Sequence, residues 1–553
     1  MELHRSGTPQ GEQQGAALAG ALRNRARALA DTGQVDAASG AVETALDLWR
    51  QLAATRRATW EPGLAATLDT AAQLWASAGR YERALEASTE SVAVHRRTAK
   101  ANPAAHRPAL AGALANLVRD LTAAGRDTEA LDAAREAVTL RRALAALDPL
   151  AHEPELATAL LNLRCKLGHL HHWGDALETD REAVAVLERL HAKEPDHHAS
   201  ELARALTLLS KDLRRGGRPA DALAPVRRAV DLRRQLAASG VASHQARLAH
   251  SLSELAAVLA KIGQAGEGAK AAIEAVGIYV PLTGDGSPPH GPTIPDGDAT
   301  LHRSALAGAY MTLSECLTAV GLPDEALTAC ERSTRLLLEL SVTDRARYEP
   351  QLGAAFSNLA TAFRAVGRHA EAAGTAQNAV LIFRRLAAGN PRYNRRLATA
   401  HRNLAVVLSA PENLRHLESA TAEAVKDLRR LAEADAGFAP ALVTTLTKQT
   451  VMLAAAERWP EALATADEAV TLGRHLAAAD PATHEPQLAR LLNAVASLLF
   501  FGDTATTWAA GLARESLAVY RRLAERDPLT FGVEHQEATA VISELLKKHG
   551  TTS

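Results

Sequence analysis

Aromatic side chains make up only 3% of the 553 residues, although apolar residues as a whole reach 47%. A core built without large rings has to come from alanine, leucine and valine. Alanine lets helices approach closely and loses no side-chain entropy, so a nearly all-helical chain is expected. Cysteine is equally scarce. Cys165, Cys316 and Cys330 are odd in number and form no CxxC or other ligand spacing, which fits small buried residues in a reducing compartment and excludes a disulfide framework. An excess of charge is missing too: the net charge is −1 and the isoelectric point about 7.1. Without a general attraction to polyanions, neither nucleic acid nor an anionic membrane is expected as a partner. There is no run of about 18 apolar residues, and the opening "MELHRSGTPQGEQQ" has no apolar signal core. These absences together suggest a cytoplasmic chain that neither crosses nor coats a membrane.

What the chain has in abundance is one repeated phrase. "TAAGRDTEALDAAREAVTLRRALAALDPLAHEP" (122–154) returns as "RRGGRPADALAPVRRAVDLRRQLAASGVASHQ" and as "RAVGRHAEAAGTAQNAVLIFRRLAAGNPRYNR". Gly33, Gly79, Gly125, His171, Gly217 and Gly263 follow one another at steps of 46 residues. Five residues past each stands a small residue: Ala38, Ala84, Ala130, Ala176, Ala222 and Gly268. Seven further on stands another: Ala45, Ser91, Ala137, Ala183, Ala229 and Ala275. Small residues at fixed spacing mark places where helices cross too closely for a larger side chain. The step from Gly263 to Gly321 is 58, and the extra residues fall in the Pro- and Gly-rich stretch 280–299, an inserted loop. The beat resumes at Gly367 and then drifts by a residue or two, giving about eleven units.

Each unit has the pattern of two antiparallel helices. The first, such as "PALAGALANLVRDLTAAG", stops at a C-cap glycine. The second, such as "TEALDAAREAVTLRRALAAL", opens acidic and closes basic, as the helix dipole favours, and "DP" ends it. One pair cannot bury its apolar stripe alone, whereas stacked neighbours form a continuous core. An all-α solenoid follows, with "VEHQEATAVISELLKKHG" as a C-terminal capping helix. Its parts are a flexible N-terminus at 1–14, a first array at 15–283, the loop at 284–300, a second array at 301–531, and the cap and tail at 532–553.

The turn glycine, the small residue five on and the second small residue seven further resemble the tetratricopeptide repeat. The full phrase is most similar to the long variety found in kinesin light chains and bacterial arrays, from about residue 15 to the end. That resemblance implies a right-handed superhelix whose concave groove, lined by first helices, holds a peptide or another protein. The chain departs from the pattern at His171 and Glu412, which take the turn position, and at Leu417, which takes the first small position.

Several columns of polar or planar residues ride on this repeat. Trp60, His106, His152, His198, His244, His302, Tyr348, Asn394, Phe438, His484 and Phe531 share one linker slot. Equivalent points on stacked helices lie about 8–10 Å apart, too far for zinc ligands at ~2.1 Å, and rings substitute freely for histidine, so packing is expected and no metal. His169, His171 and His172 with Cys165 are a local alternative, separated by a whole helix from His191, His197 and His198. Arginine pairs at 96–97, 141–142, 233–234, 384–385, 429–430 and 521–522 could form a basic stripe. They are better explained by helix C-termini and by pairing with Glu90, Glu136, Glu182, Glu423 and Glu468.

One column points to function. Twenty-one residues before the second small slot stand Asn24, Asn116, Asn162, Asn358 and Asn403, with Asn493 fitting only when shifted by two. Asparagine is a mediocre helix former, and its amide both donates and accepts, as reading a peptide backbone requires. A repeat of about 8–10 Å matches every third residue of an extended chain rising ~3.3 Å per residue. In tetratricopeptide proteins asparagines at this slot hold bound peptide, and the resemblance implies the same for these five. Arg27 and Arg119, three residues after Asn24 and Asn116, would share their face and meet an acidic side chain or a terminal carboxylate. An asparagine bonded to a neighbouring helix is the structural alternative. Leu208, Glu254 and Thr312 interrupt the column, leaving two asparagine-bearing stretches on either side of the loop.

The function expected is a scaffold that clasps an extended segment of a partner protein or peptide, without a cofactor. A peptide-responsive sensor using the 280–299 loop as hinge or lid is the second possibility. No nucleophile elbow, phosphate loop or zinc-protease motif appears, and an enzyme using the His169–His172 region comes third.

Overall fold

A computed structural model describes residues 9–170, 172–283, 296–408, 414–504 and 506–548. The described residues are almost entirely helical. The chain divides into two compact units, Met1–Ile278 and Tyr279–Ser553.

The first unit runs through α1 (Pro9–Asp31), α2 (Val35–Thr55), α3 (Arg57–Ser77), α4 (Tyr81–Ala101), α5 (Pro103–Ala123) and α6 (Asp127–Leu147). It continues with α7 (Pro149–His169), α8 (Trp173–Lys193), α9 (Pro195–Arg215), α10 (Pro219–Ala237), α11 (Ala242–Lys261) and α12 (Ala265–Leu282), which crosses the boundary. The second unit holds α13 (Asp296–Val320), α14 (Pro323–Thr343), α15 (Arg345–Ala365), α16 (His369–Gly389), α17 (Asn394–Val407) and α18 (Leu414–Ala434). It ends with α19 (Ala439–Ala455), α20 (Trp459–Ala479), α21 (Pro481–Phe501), α22 (Thr506–Arg526) and α23 (Pro528–Lys548). Odd-numbered helices are the first members of eleven pairs, even-numbered ones the second, and α23 follows the last pair.

The turn inside a pair depends on a left-handed residue. Gly125 has φ of 71°, and Arg126 N–H closes back onto the Leu121 carbonyl at 2.9 Å, which satisfies a carbonyl that the end of α5 would otherwise orphan. The same slot recurs at Gly33, Gly79, Gly217, Gly263, Gly321 and Gly367, but Glu457 and Asp503 also occupy it, with φ of 59° and 49°. His171 and Glu412, expected in this slot, lie outside the described residues, as does the side chain of Leu417. Between pairs, the "DP" dipeptide starts a helix as well as ending one. Asp148 Oδ1 accepts from Ala151 N–H at 3.2 Å while Pro149 takes the first helical position, and Asp480 does the same at Thr483.

The small columns are buried as their spacing required. Ala38, Ala84, Ala130, Ala176, Ala222, Ala45, Ala183 and Ala229 are all inaccessible. Where serine replaces alanine, its hydroxyl finds an acceptor in the neighbouring first helix: Ser333 Oγ donates to the Ala307 carbonyl at 2.8 Å and Ser516 Oγ to Ala489 at 2.9 Å. Helices α1 to α11 each pack on the next in the first unit, as α13 to α23 do in the second. First helices also touch the next first helix, α1 with α3, α3 with α5 and α9 with α11 in one unit, and α13 with α15, α15 with α17, α17 with α19, α19 with α21 and α21 with α23 in the other. The more closely spaced first helices therefore make the inner layer of each unit.

Second helices are linked by long side chains. Arg50 reaches Glu90 at 2.7 Å, Arg96 Glu136 at 2.5 Å, Arg142 Glu182 at 2.5 Å and Arg234 Glu274 at 2.8 Å. In the second unit Arg384 reaches Glu423 at 2.9 Å, Arg429 Glu468 at 2.8 Å and Arg474 Glu515 at 2.6 Å. The expected glutamate partners are therefore engaged, but across neighbouring second helices rather than along one. The adjacent arginine of a pair turns toward its own first helix, as Arg97 does to Glu61 at 2.8 Å and Arg522 to Glu485 at 2.9 Å.

Candidate functional site

Asn24, Asn116, Asn162, Asn358 and Asn403 stand on α1, α5, α7, α15 and α17, all first helices. Asn24 and Asn162 are exposed, and the other three are half-buried. Their amides are lightly used. Asn116 Oδ1 accepts from Arg119 Nη1 at 3.4 Å, and Asn358 Nδ2 donates to Glu315 Oε1 on α13 at 3.4 Å. Asn162 lines an open cavity of about 140 Å³ between α5 and α7, floored by Ala134, Ala137 and Arg141 of α6 and flanked by Glu155 and Thr158. Arg27 is exposed, whereas Arg119 is partly committed, its Nε donating to the buried Asp120 carboxylate at 2.9 Å.

The interruptions have local causes. Glu254, on α11, is bound by both forks of Arg214 at 2.8 and 2.9 Å, and the Thr312 hydroxyl donates to the Gly308 carbonyl. Thr70, between Asn24 and Asn116 in the same slot, donates likewise to Ala66 at 3.0 Å. In the second unit the column continues in steps of 45, through Asn403, Lys448 and Asn493. Burial, with Arg402 nearby, lowers the Lys448 pKa, and Asn493 Oδ1 and Gln449 Oε1 are enclosed without a hydrogen-bond partner. Lys448 was missed because the drift of the repeat by one residue hid it. The proposed hinge or lid lies, over 284–295, outside the described residues.

The planar column packs. Tyr348, Phe438 and His198 are buried, Trp60 lies 6.2 Å from Trp49 between ring centroids, and His244 Nδ1 bonds the Leu236 carbonyl at 3.0 Å. In one unit the slot moves by a residue, because a short 3₁₀ turn, Pro391–Tyr393, buries Tyr393 where Asn394 was expected. Cys165 Sγ comes within 4.0 Å of His169 Nε2, His172 is exposed, and His171 lies outside the described residues. Cys316 and Cys330 are buried, and desolvation raises both thiols to about 11, far from the thiolate a nucleophile needs.

Two buried ionic groups were not legible from spacing. Arg164 on α7 donates to Asp212 on α9 at 2.7 Å and lies 3.5 Å from Asp180 on α8, with both carboxylates essentially inaccessible. Burial raises the Asp180 carboxyl to about 8 against the pull of Arg164, and Asp212 adds to the rise. In the second unit Asp427 accepts from His401 at 2.9 Å and from Arg384 at 2.8 Å. Burial acts to raise its pKa, but these bonds outweigh it and hold the carboxyl down to about 2.

The family description "Tetratricopeptide repeat" matches residues 110–147, most of α5 and all of α6, and the same helix pair recurs along both units. That pair is a tetratricopeptide repeat. Such repeats generally mediate protein–protein interaction. No curated relative matches the chain. Among solved structures, BtubC (BKLC) from P. vanneervenii is 20% identical, over 47% of this chain and 91% of that one, with a TM-score of 0.35. A putative kinesin light chain from P. anserina, with nearly identical repeats, is 18% identical over 43% and 98%, with a TM-score of 0.32. A Signal Transduction ATPase with Numerous Domains protein from Pyrococcus horikoshii, which has a tetratricopeptide repeat sensor, is 13% identical over 74% and 54%, with a TM-score of 0.41. Among the described residues no helix is long and apolar enough to cross a membrane.

Proposed function

We propose that this protein is an interaction scaffold whose first-helix layer holds an extended segment of a partner protein or peptide. One observation carries the reading: the amides at a single slot on α1, α5, α7, α15 and α17 reach solvent or sit half-buried, and the bonds to Asn116 and Asn358 are long side-chain contacts. An amide can donate to one backbone carbonyl and accept from one backbone N–H without regard to the partner's side chains. The alanine-lined cavity beside Asn162 gives room for a small apolar side chain between two such contacts.

The test uses the full chain as bait in lysate, in parallel with an Asn116→Ala, Asn162→Ala double variant and an Arg228→Ala control on the second-helix surface. Mass spectrometry should find a protein retained by wild type and control, and lost by the double variant. Identical retained sets from all three would remove the asparagine track from the account.

A further inference from the structure

Among the described ion pairs none holds Arg141, Arg233, Arg430 or Arg521 of the recurrent pairs; Arg430 and Arg521 are exposed, whereas Arg141 and Arg233 are not, and these two occupy one slot two 46-residue steps apart. Around Arg141 the cavity carries a counter-charge, Glu155, together with Thr158 and Asn162. Two steps on, the residue in place of Glu155 is Arg247, and His250 replaces Thr158. The charge of the slot has been reversed.

Arg233, on α10, is only 4% exposed. Its Nη1 donates to Ser200 Oγ at 3.1 Å and its Nη2 to the Ser200 carbonyl at 2.9 Å, while Nε has no partner. Arg247, on α11, donates to the same Ser200 Oγ at 3.1 Å. Two guanidiniums from different helices thus converge on one neutral hydroxyl. Arg204, one turn after Ser200 on α9, is exposed and adds a third positive charge; its field and that of Arg247, on top of burial, lower the Arg233 pKa to about 10. His250 borders Arg233, and desolvation together with Lys211 and Arg233 lowers its pKa. Glu254, the acid that acts on His250, is held by Arg214. Cations gathered on a buried arginine without a carboxylate are unfavourable unless an anion joins them.

We propose that Arg233, Arg247 and Arg204 form a seat for the phosphoryl group of a phosphorylated serine or threonine in the bound peptide segment, a proposal that rests on the scaffold reading above. Three cations suit a group carrying nearly two negative charges and three acceptor oxygens better than a single carboxylate. Arg233 is the floor of the seat, and Arg204 and Arg247 are its exposed walls. A nucleic-acid strand is disfavoured because the seat does not repeat: the equivalent slots carry His95, Arg141 across a cavity from Glu155, and Leu187.

Calorimetry on the full chain tests this with N-acetyl-phosphoserine amide, N-acetylserine amide, inorganic phosphate and adenosine 5′-monophosphate. Wild type should bind the phosphoserine probe and not the serine probe. Arg247→Glu, which rebuilds the Arg141 with Glu155 arrangement, should fold normally and weaken binding by about tenfold or more. Arg233→Leu should do the same, since Leu187 fills that slot in a neighbouring unit. Unchanged affinity in Arg247→Glu overturns the seat. Binding of the nucleotide or of inorganic phosphate without binding of the phosphoserine probe overturns the peptide source. The probe spans one residue, so its outcome is separable from the asparagine track: a seat that binds in a protein whose double asparagine variant keeps every partner survives alone.

Discussion

Asp180 shows what a single buried residue does to this array. Its carboxyl is fully enclosed beside Asp212, and Arg164 is the cation that bonds to both, while Arg215 and Lys211 act on Asp212 without a bond to it. Burial and the neighbouring Asp212 outweigh Arg164, so Asp180 keeps its proton, with a pKa of about 8 against an ordinary 3.8. The folded form then binds one more proton than the unfolded chain between those values. Stability from this group is complete below about pH 4 and is lost as pH rises through about 8, with a slope of at most ~1.4 kcal/mol per unit. Asp180→Asn keeps the shape and the donor of the protonated acid without the titration. Urea midpoints at pH 5, 7 and 8.5 should therefore fall less steeply in the variant than in wild type, and parallel profiles would show that Asp180 is already charged at neutral pH. None of this was readable from spacing, because Arg164, Asp180 and Asp212 lie on three successive helices and share no slot.

At the scale of the helix and its turns, most of the architecture was legible and the exceptions have one cause. The turn slot was recognisable through glycine because left-handed backbone excludes a Cβ at little cost only there. From Gly367 two repeats take 90 residues before a step of 46 follows, and Glu457 and Asp503 went unrecognised although both hold the same left-handed turn. Non-glycine residues in that region cost on the order of 1 kcal/mol. Glu457→Gly should raise stability by about that amount, less the entropy glycine adds to the unfolded chain. A higher urea midpoint with an unchanged slope is the expected result; a lower midpoint would mean that Glu457 contributes contacts outweighing its backbone strain. The arginine pairs were half legible. Glutamate partners could be named from composition, but the 39- to 41-residue register that joins Arg142 to Glu182 and Arg429 to Glu468 depends on how far apart the second helices stand. Exposed pairs of this kind contribute little singly, about 0–1 kcal/mol, so they fix register more than they stabilise.

For the molecule as a whole, the period of 46 was the information that mattered. It implied helix pairs, placed the small residues in the contacts, and put the asparagines on first helices. It could not say which polar side chains turn inward, since Arg141, beside Glu155, and Arg233, bonded to Ser200, share one slot with Leu187. A stack of this kind has a further consequence, because each pair is stabilised by its immediate neighbours and by little else. Ala222 on α10 is inaccessible, and a leucine there would force α9, α10 and α11 apart at a cost of about 1–3 kcal/mol. In a globule with one shared core that cost would be felt everywhere. Here hydrogen exchange on Ala222→Leu should show amides of α9–α11 losing protection while those of α1–α4 exchange as in wild type. Uniform loss of protection across the whole first unit would instead mean that its helix pairs unfold as one cooperative body, and that neighbour contacts alone do not describe its stability.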